Sequence, residues 1–230
     1  MGLGKTVSIL QPGYLPWLGY FEQLWYCDTF VVYDDVQFEK GSWRNRNRIK
    51  INEGTRWLTV PVSLPGHFPA INQVRIDYGN SWQKKQIRTL TQNYGRTDYF
   101  DLYADGLFQI MNRSYKYLKD LLLEQLYWFT NCLNIDTPIL LSSDLNISGK
   151  GTRRLVDIVS SLSGNCFYEG ASGRSYIESH LFEKRGISIE YQDYHHPVYP
   201  QCSGSFTPYL SIIDLMFNCG PKSLTILTNS

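Results

Sequence analysis

The sequence predicts an α/β fold, a mainly parallel sheet flanked by helices, and three observations carry that reading. A strand, a helix and a second strand fit into about 28 residues near the start of the chain, the length of a βαβ unit. Strand and helix patterns alternate again over the last third of the chain. Between the first strand and helix lies Gln11-Pro12-Gly13-Tyr14-Leu15-Pro16-Trp17-Leu18-Gly19-Tyr20-Phe21, whose prolines and glycines restrict the loop to one backbone shape. A rigid loop that leaves a first strand and opens onto a helix is where α/β proteins hold phosphates and small ligands. The expected organisation is one α/β domain over residues 1–230, with a β-hairpin insertion at about 40–63 and a helical segment at about 80–133.

The apolar run 7–10 reads as the first strand and 21–26 as the helix after the loop. The second strand, 29–33, ends in Asp34-Asp35. Residues 43–52 and 56–62, joined by Glu53-Gly54-Thr55, form a hairpin signal with glycine in the turn. Pro65-Gly66 breaks the chain, and 74–76 is a further short strand. A helix over 81–93 is capped by Asn80 or Ser81 and stops near Gly95. Apolar positions at 107, 110, 111, 118, 121, 122, 126 and 129 predict one long helical region over 107–131. A strand at 138–141, a helix at 152–162, a strand at 166–168, a helix at 174–183 and a strand at 187–191 complete the alternation.

Composition narrows the class. With 230 residues, 43% of them apolar, the chain buries a sizeable core. Its 17 tyrosines and 6 tryptophans are residues that line wet clefts as well as cores. A formal net charge of +1 gives no global signal for nucleic acid, so any basic patch is local. Met1-Gly2-Leu3-Gly4-Lys5 lacks the pattern of a secretory leader, and no apolar run of about 18 residues is present. The five cysteines are scattered without a CxxC pair, which signals neither zinc nor a disulfide framework. The expectation from these features is a cytoplasmic protein.

The strongest electrostatic signal is Lys40, Arg44, Arg46, Arg48 and Lys50. From 44 to 50 the cations alternate with Asn45, Asn47 and Ile49, so on a strand they share one face. Several arginine forks in a row suit a diphosphate; the plainer reading is a solvated strand face that protects an edge. Asp34-Asp35 at a strand end suits sugar hydroxyls or a metal, or simply a turn, and no second acidic cluster supports a metal. Gly170-Ala171-Ser172-Gly173-Arg174 and Ile147-Ser148-Gly149-Lys150-Gly151-Thr152-Arg153-Arg154 are strand-to-helix turns that could receive an anion or merely cap a helix. His195-His196 is the one histidine pair, in a setting that usually means surface residues.

Three blocks resemble the WbqC-like family of bacterial proteins. The first runs from QPGYLPWLGYF (11–21) through DTFVVYDDVQFEKGSWRNRNRIK (28–50) to WLTVPV (57–62). The second is SSDLNISGKGTRRLVDIV (142–159) with YEGASGRSYI (168–177), and the third is PVYPQCSGSFTPYLSIIDLMFNCG (197–220). The resemblance implies a role in surface-polysaccharide (O-antigen) biosynthesis, on a nucleotide-linked amino sugar, with an acyl or aminoacyl group transferred to the sugar amine. The first block is also similar to the opening of nucleotidyltransferases with a HIGH-type motif, but Trp17 and Tyr20 stand where that motif has histidines. The alternatives are therefore a nucleotidyltransferase-like enzyme activating a small substrate with a nucleoside triphosphate, and a non-catalytic nucleotide-sugar-binding protein.

On this reading the site lies over the C-terminal ends of the first two strands. Gln11, Tyr14 and Tyr20 shape its floor, with Tyr20 among the catalytic candidates. Asp34 or Asp35 contacts a sugar hydroxyl or acts as general base. Arg44, Arg46 and Arg48 hold phosphates, Asn45 and Asn47 add hydrogen bonds, and Ser148 and Arg153 supply a second phosphate contact. Gln201 and Asp214 form the far wall, although an acid among Ile212, Ile213 and Leu215 also suits an internal cap. No metal and no covalently bound cofactor is expected. The donor is a coenzyme A thioester, an aminoacyl-tRNA or an adenylate made from ATP, and nucleic acid is a partner only if the donor is a tRNA.

Overall fold

The computed structural model describes residues 4–229, so the reading of Met1-Gly2-Leu3 as part of a leaderless N-terminus lies outside the described residues. The strands in chain order are β1 (Thr6–Leu10), β2 (Thr29–Val32), β3 (Arg46–Lys50), β4 (Thr55–Thr59), β5 (Val62–Ser63), β6 (Arg75–Ile76), β7 (Ile139–Leu141), β8 (Cys166–Glu169) and β9 (Ser188–Tyr191). The helices are α1 (Leu18–Tyr26), α2 (Trp82–Tyr94), α3 (Phe100–Asn112), α4 (Leu118–Leu133), α5 (Gly151–Ser161), α6 (Ser179–Glu183), α7 (Ile212–Cys219) and α8 (Ser223–Thr228). The chain folds as two compact units, one of Met1–Gln11, Glu22–Asp35 and Ile135–Tyr194, the other of Pro12–Phe21, Val36–Asn134 and His195–Ser230.

The first unit is the α/β core that the sequence predicts. Its five-stranded sheet has the order β7-β2-β1-β8-β9, and every pairing is parallel. Parallel strands buried on both faces are near-continuously apolar, and all four residues of β2, Thr-Phe-Val-Val, are buried. β9 alternates instead, with Ser188 and Glu190 exposed, as befits an edge. Val7, Ile9, Val31, Ile158, Val159, Phe167 and Phe182 form the core, with the Phe167 and Phe182 rings stacked at 4.9 Å. A Cβ at Gly164 would stand 2.7 Å from Val7 and 2.8 Å from Val159, so glycine lets α5 turn into β8 against β1.

The second unit holds the predicted hairpin and helical segment. β3 and β4 pair antiparallel from Arg46↔Thr59 to Lys50↔Thr55, and Gly54 turns between them with φ +88°. The single helix expected over 107–131 is two, α3 and α4. Residues 113–117 separate them, with bends at 113 and 116, and are tied to β6: Arg75 bridges Tyr117, and the Leu118 N–H donates to the Val74 carbonyl at 2.8 Å. This stretch, Arg-Ser-Tyr-Lys-Tyr, is also where the apolar spacing lapses. The helix expected over 174–183 is a 3-10 turn, Ala171–Ser175, followed by the short α6. α7 and α8 were not expected; the Ser211 hydroxyl accepts from the Ile213 N–H and starts an almost wholly buried helix.

Candidate functional site

In the first unit, polar side chains gather where the parallel strands end. β2 runs into Tyr33-Asp34-Asp35 and β7 into Ser142-Ser143. Asp34 is fully buried and accepts from the Ser143 N–H at 3.1 Å and the Ser143 hydroxyl at 2.9 Å. The Ser142 hydroxyl lies 2.5 Å from Asp35 and 3.2 Å from Asp34. Arg154, in the first turns of α5, pairs with Asp35, donates from Nε to the Ile147 carbonyl at 2.9 Å and lies 5.0 Å from the Tyr33 ring centroid. Burial pushes the Asp35 carboxyl up, but Arg154 and Ser142 outweigh it and hold the group below its ordinary value. An acid held ionised and paired in this way is a weak proton acceptor.

The arginine that engages the acids is Arg154; Arg153, expected as a phosphate contact, is the residue before it. One residue is about 100° of helix rotation, and α5 turns Thr152, Arg154, Leu155 and Ile158 inward while Arg153 stays exposed. Ser148 is likewise exposed, in a loop where Gly149 has φ +119°. Gln11 follows β1 directly and is half-buried.

At the end of β8 stands a residue that the sequence reading passed over. Glu169 is 5% exposed, and its Oε1 accepts from the Gly170 N–H at 3.1 Å and the Tyr176 hydroxyl at 3.3 Å. Burial pushes this carboxyl up to about 7, against the weaker opposing effect of those two bonds. Its signal was available: an acid closing a strand immediately before Gly170-Ala171-Ser172-Gly173. β1 and β8 are the neighbours from which the chain builds the sheet in opposite directions. The carboxyl ends of such strands are where open α/β sheets take ligands.

The second unit carries the basic strip. Arg46 and Arg48 are half-buried on β3, with the Arg46 guanidinium 4.3 Å from the Trp57 ring centroid. The Arg48 guanidinium stands 5.9 Å from Trp43 and 5.8 Å from Trp57, and those two exposed rings are 5.2 Å apart. Among the described residues no carboxylate pairs with Arg46 or Arg48. Two arginine forks are thus positioned by aromatic faces with their charge uncompensated, an arrangement suited to phosphate oxygens. Tyr20 is buried beside Arg44: burial drives its phenol far up, and the Arg44 charge opposes that rise.

Other expected residues hold the unit together. Tyr14 is fully buried and donates to Gln86 at 2.6 Å. Asn45 and Asn47 turn inward, donating to the Val60 carbonyl at 2.9 Å and the Leu15 carbonyl at 2.6 Å. Those amides anchor the hairpin and the proline loop. Asp214 is fully buried and accepts from Tyr94 at 2.7 Å, Tyr199 at 3.0 Å and Gln201 at 2.8 Å. Burial raises its carboxyl and these bonds oppose the rise, so Gln201 and Asp214 form an internal tie rather than an open wall. His196, expected at the surface, is half-buried, with its ring centroid 5.0 Å from that of Tyr209. No three His, Cys, Asp or Glu side chains converge among the described residues, and no helix there is long and apolar enough to cross a membrane.

Comparison with known proteins assigns the family. Residues 11–226 match the WbqC-like protein family. The chain belongs to that family. A protein of Mycobacterium tuberculosis (strain ATCC 25618 / H37Rv), described as "Uncharacterized protein Rv1507c", is 36% identical over 222 residues, covering 95% of this chain and 96% of its own. No solved structure matches. Every block quoted from the sequence lies within or overlaps the matched span, so this WbqC-like chain carries the family's pattern along nearly its whole length.

Proposed function

We propose that this WbqC-like protein is an enzyme of surface-polysaccharide biosynthesis that acts on a nucleotide-linked amino sugar and transfers an acyl or aminoacyl group to the sugar amine. The observation that carries the reading is the pair of arginines, Arg46 and Arg48, set against Trp57 and Trp43 without a carboxylate partner among the described residues. Uncompensated forks of this kind suit a diphosphate, and exposed indoles suit a base or sugar ring. The crowded polar ends of a wholly parallel sheet add support, because such ends are the usual ligand sites of the fold.

Amide formation needs a neutral amine, an activated acyl carbon and donors for the developing oxyanion. The donor is an activated acyl compound: a coenzyme A thioester, an aminoacyl-tRNA ester or an adenylate anhydride. Calorimetry with UDP-glucosamine tests the binding half of the proposal. Arg46→Ala and Arg48→Ala are each expected to weaken binding roughly tenfold, in line with loss of a charge-assisted phosphate contact. Unaltered affinity in both variants would sink the phosphate assignment. One observation favours a second reading, a nucleotidyltransferase-like enzyme: the wholly parallel sheet whose first strand leads into the proline-glycine loop. Pyrophosphate release from ATP that depends on a small acid would support that reading over the first.

A further inference from the structure

Glu169 combines features that a structural carboxylate rarely shows. It closes β8 at the carboxyl end of the sheet, beside β1, and is 95% withdrawn from solvent, since only 5% of it remains accessible. Both of its hydrogen bonds fall on Oε1, one from a main-chain N–H and one from the Tyr176 hydroxyl. Among the described residues nothing donates to Oε2, and no lysine, arginine or histidine pairs with either oxygen. The nearest cation in sequence, Arg174, is placed over the Tyr191 ring at 4.4 Å. A buried carboxylate without a cation is costly to keep, and the ordinary solution is a partner or a proton.

The turn that follows is shaped around this side chain. A Cβ at Gly173 would stand 2.4 Å from the Glu169 Cγ, so the 3-10 turn closes on the carboxylate only because residue 173 is glycine. Tyr176, 59% exposed, reaches in from the end of that turn, so the lining of Glu169 extends to the surface through a phenol. The groups packed against the carboxyl are thus the Gly170 N–H, the Gly173 backbone and the Tyr176 phenol, and of these only Tyr176 is titratable.

We propose that Glu169 receives the amino group of the acceptor substrate and takes its proton. This rests on the reading that the acceptor is an amino sugar. The step is a proton transfer: an N–H bond of the substrate ammonium breaks, its electron pair stays on nitrogen, and the proton passes to Oε2 of the ionised Glu169. The neutral amine then attacks the acyl carbon of the donor: the C–N bond forms, the donor's C–S or C–O bond breaks, and the second N–H proton leaves with the departing thiol, alcohol or phosphate. A carboxyl that burial raises to about 7 is matched to this task near neutral pH, unlike Asp35, which Arg154 holds ionised.

Calorimetry at pH 6 and pH 7.5 with UDP-glucosamine and UDP-N-acetylglucosamine, on the wild type and Glu169→Gln, tests the proposal. The wild type is expected to bind the free amine about tenfold more tightly at pH 7.5 than at pH 6, where Glu169 is mostly neutral. The N-acetyl compound should show no such change, and Glu169→Gln should remove the change for the amine. Equal affinity for the two sugars at pH 7.5, or a pH response that persists in Glu169→Gln, overturns the assignment while leaving nucleotide-sugar binding intact. Failure of the wild type to bind either nucleotide sugar overturns the proposed function instead. In that event free glucosamine decides: a shift of the Glu169 Cδ resonance in carbon-13 NMR supports the amine site, and an unmoved resonance overturns it.

Discussion

Asp35 and Glu169 are both acids at the ends of parallel strands, and their surroundings drive them in opposite directions. Arg154 holds Asp35 below its ordinary value, so its contribution to stability is complete above about pH 4 and is lost as pH falls through the lowered folded value. Arg154→Ala should destabilise the protein by about 2–3 kcal/mol at pH 7, because it leaves a partly buried carboxylate alone, and the deficit should shrink in acid. Glu169 has the reverse sign. Its carboxyl is raised from 4.5 to about 7, so folding loses stability as pH rises through that interval, and the loss is complete above it. Glu169→Gln should therefore be more stable than the wild type at pH 8, by about 2–3 kcal/mol, and no more stable at pH 4. Urea unfolding at the two pH values checks both variants. Asp34-Asp35 was legible because two acids at a strand end stand out. The pairing of Arg154 with Asp35 was not legible, because helix phase is set by the boundary of α5, which sequence alone places only to within a few residues.

Among the elements, local signals succeeded where they were self-contained. The hairpin of β3 and β4 needs only alternating residues and a glycine turn; Gly54, at φ +88° with open space around it, should cost about 1 kcal/mol when changed to Ala. The alternation of Arg44, Arg46 and Arg48 with Asn45 and Asn47 was equally readable, while the asparagines' roles were not: Val60 and Leu15, the residues whose carbonyls they bond, are distant in sequence. The split between α3 and α4 escaped for the same reason, because the bridge that ties the connection to β6, Arg75 to Tyr117, joins residues distant in sequence. Gly173→Ala probes the turn over Glu169. With its new Cβ 2.4 Å from the Glu169 Cγ, it should destabilise by about 2 kcal/mol and weaken amino-sugar binding, measured by thermal unfolding and calorimetry.

For the whole molecule, the βαβ opening and the late alternation made a parallel sheet legible, but strand order was not. β7 pairs with β2 across an insertion of about a hundred residues, and no local pattern encodes such a pairing. The chain's near-neutral balance also hides a local field, since Arg46 and Arg48 lack carboxylate partners among the described residues. Binding of a nucleotide sugar through them should weaken several-fold between 50 mM and 500 mM salt, and the weakening should be smaller in Arg46→Ala. Mass spectrometry of the sugar is the sharpest test of acyl or aminoacyl transfer to a nucleotide-linked amino sugar. The protein is incubated with UDP-glucosamine and, in turn, acetyl-coenzyme A, glycyl-tRNA, and glycine with ATP. One donor is expected to add the mass of its acyl group to the sugar amine. An unmodified sugar with every donor, under conditions where calorimetry shows it bound, would rule out acyl transfer to that amine.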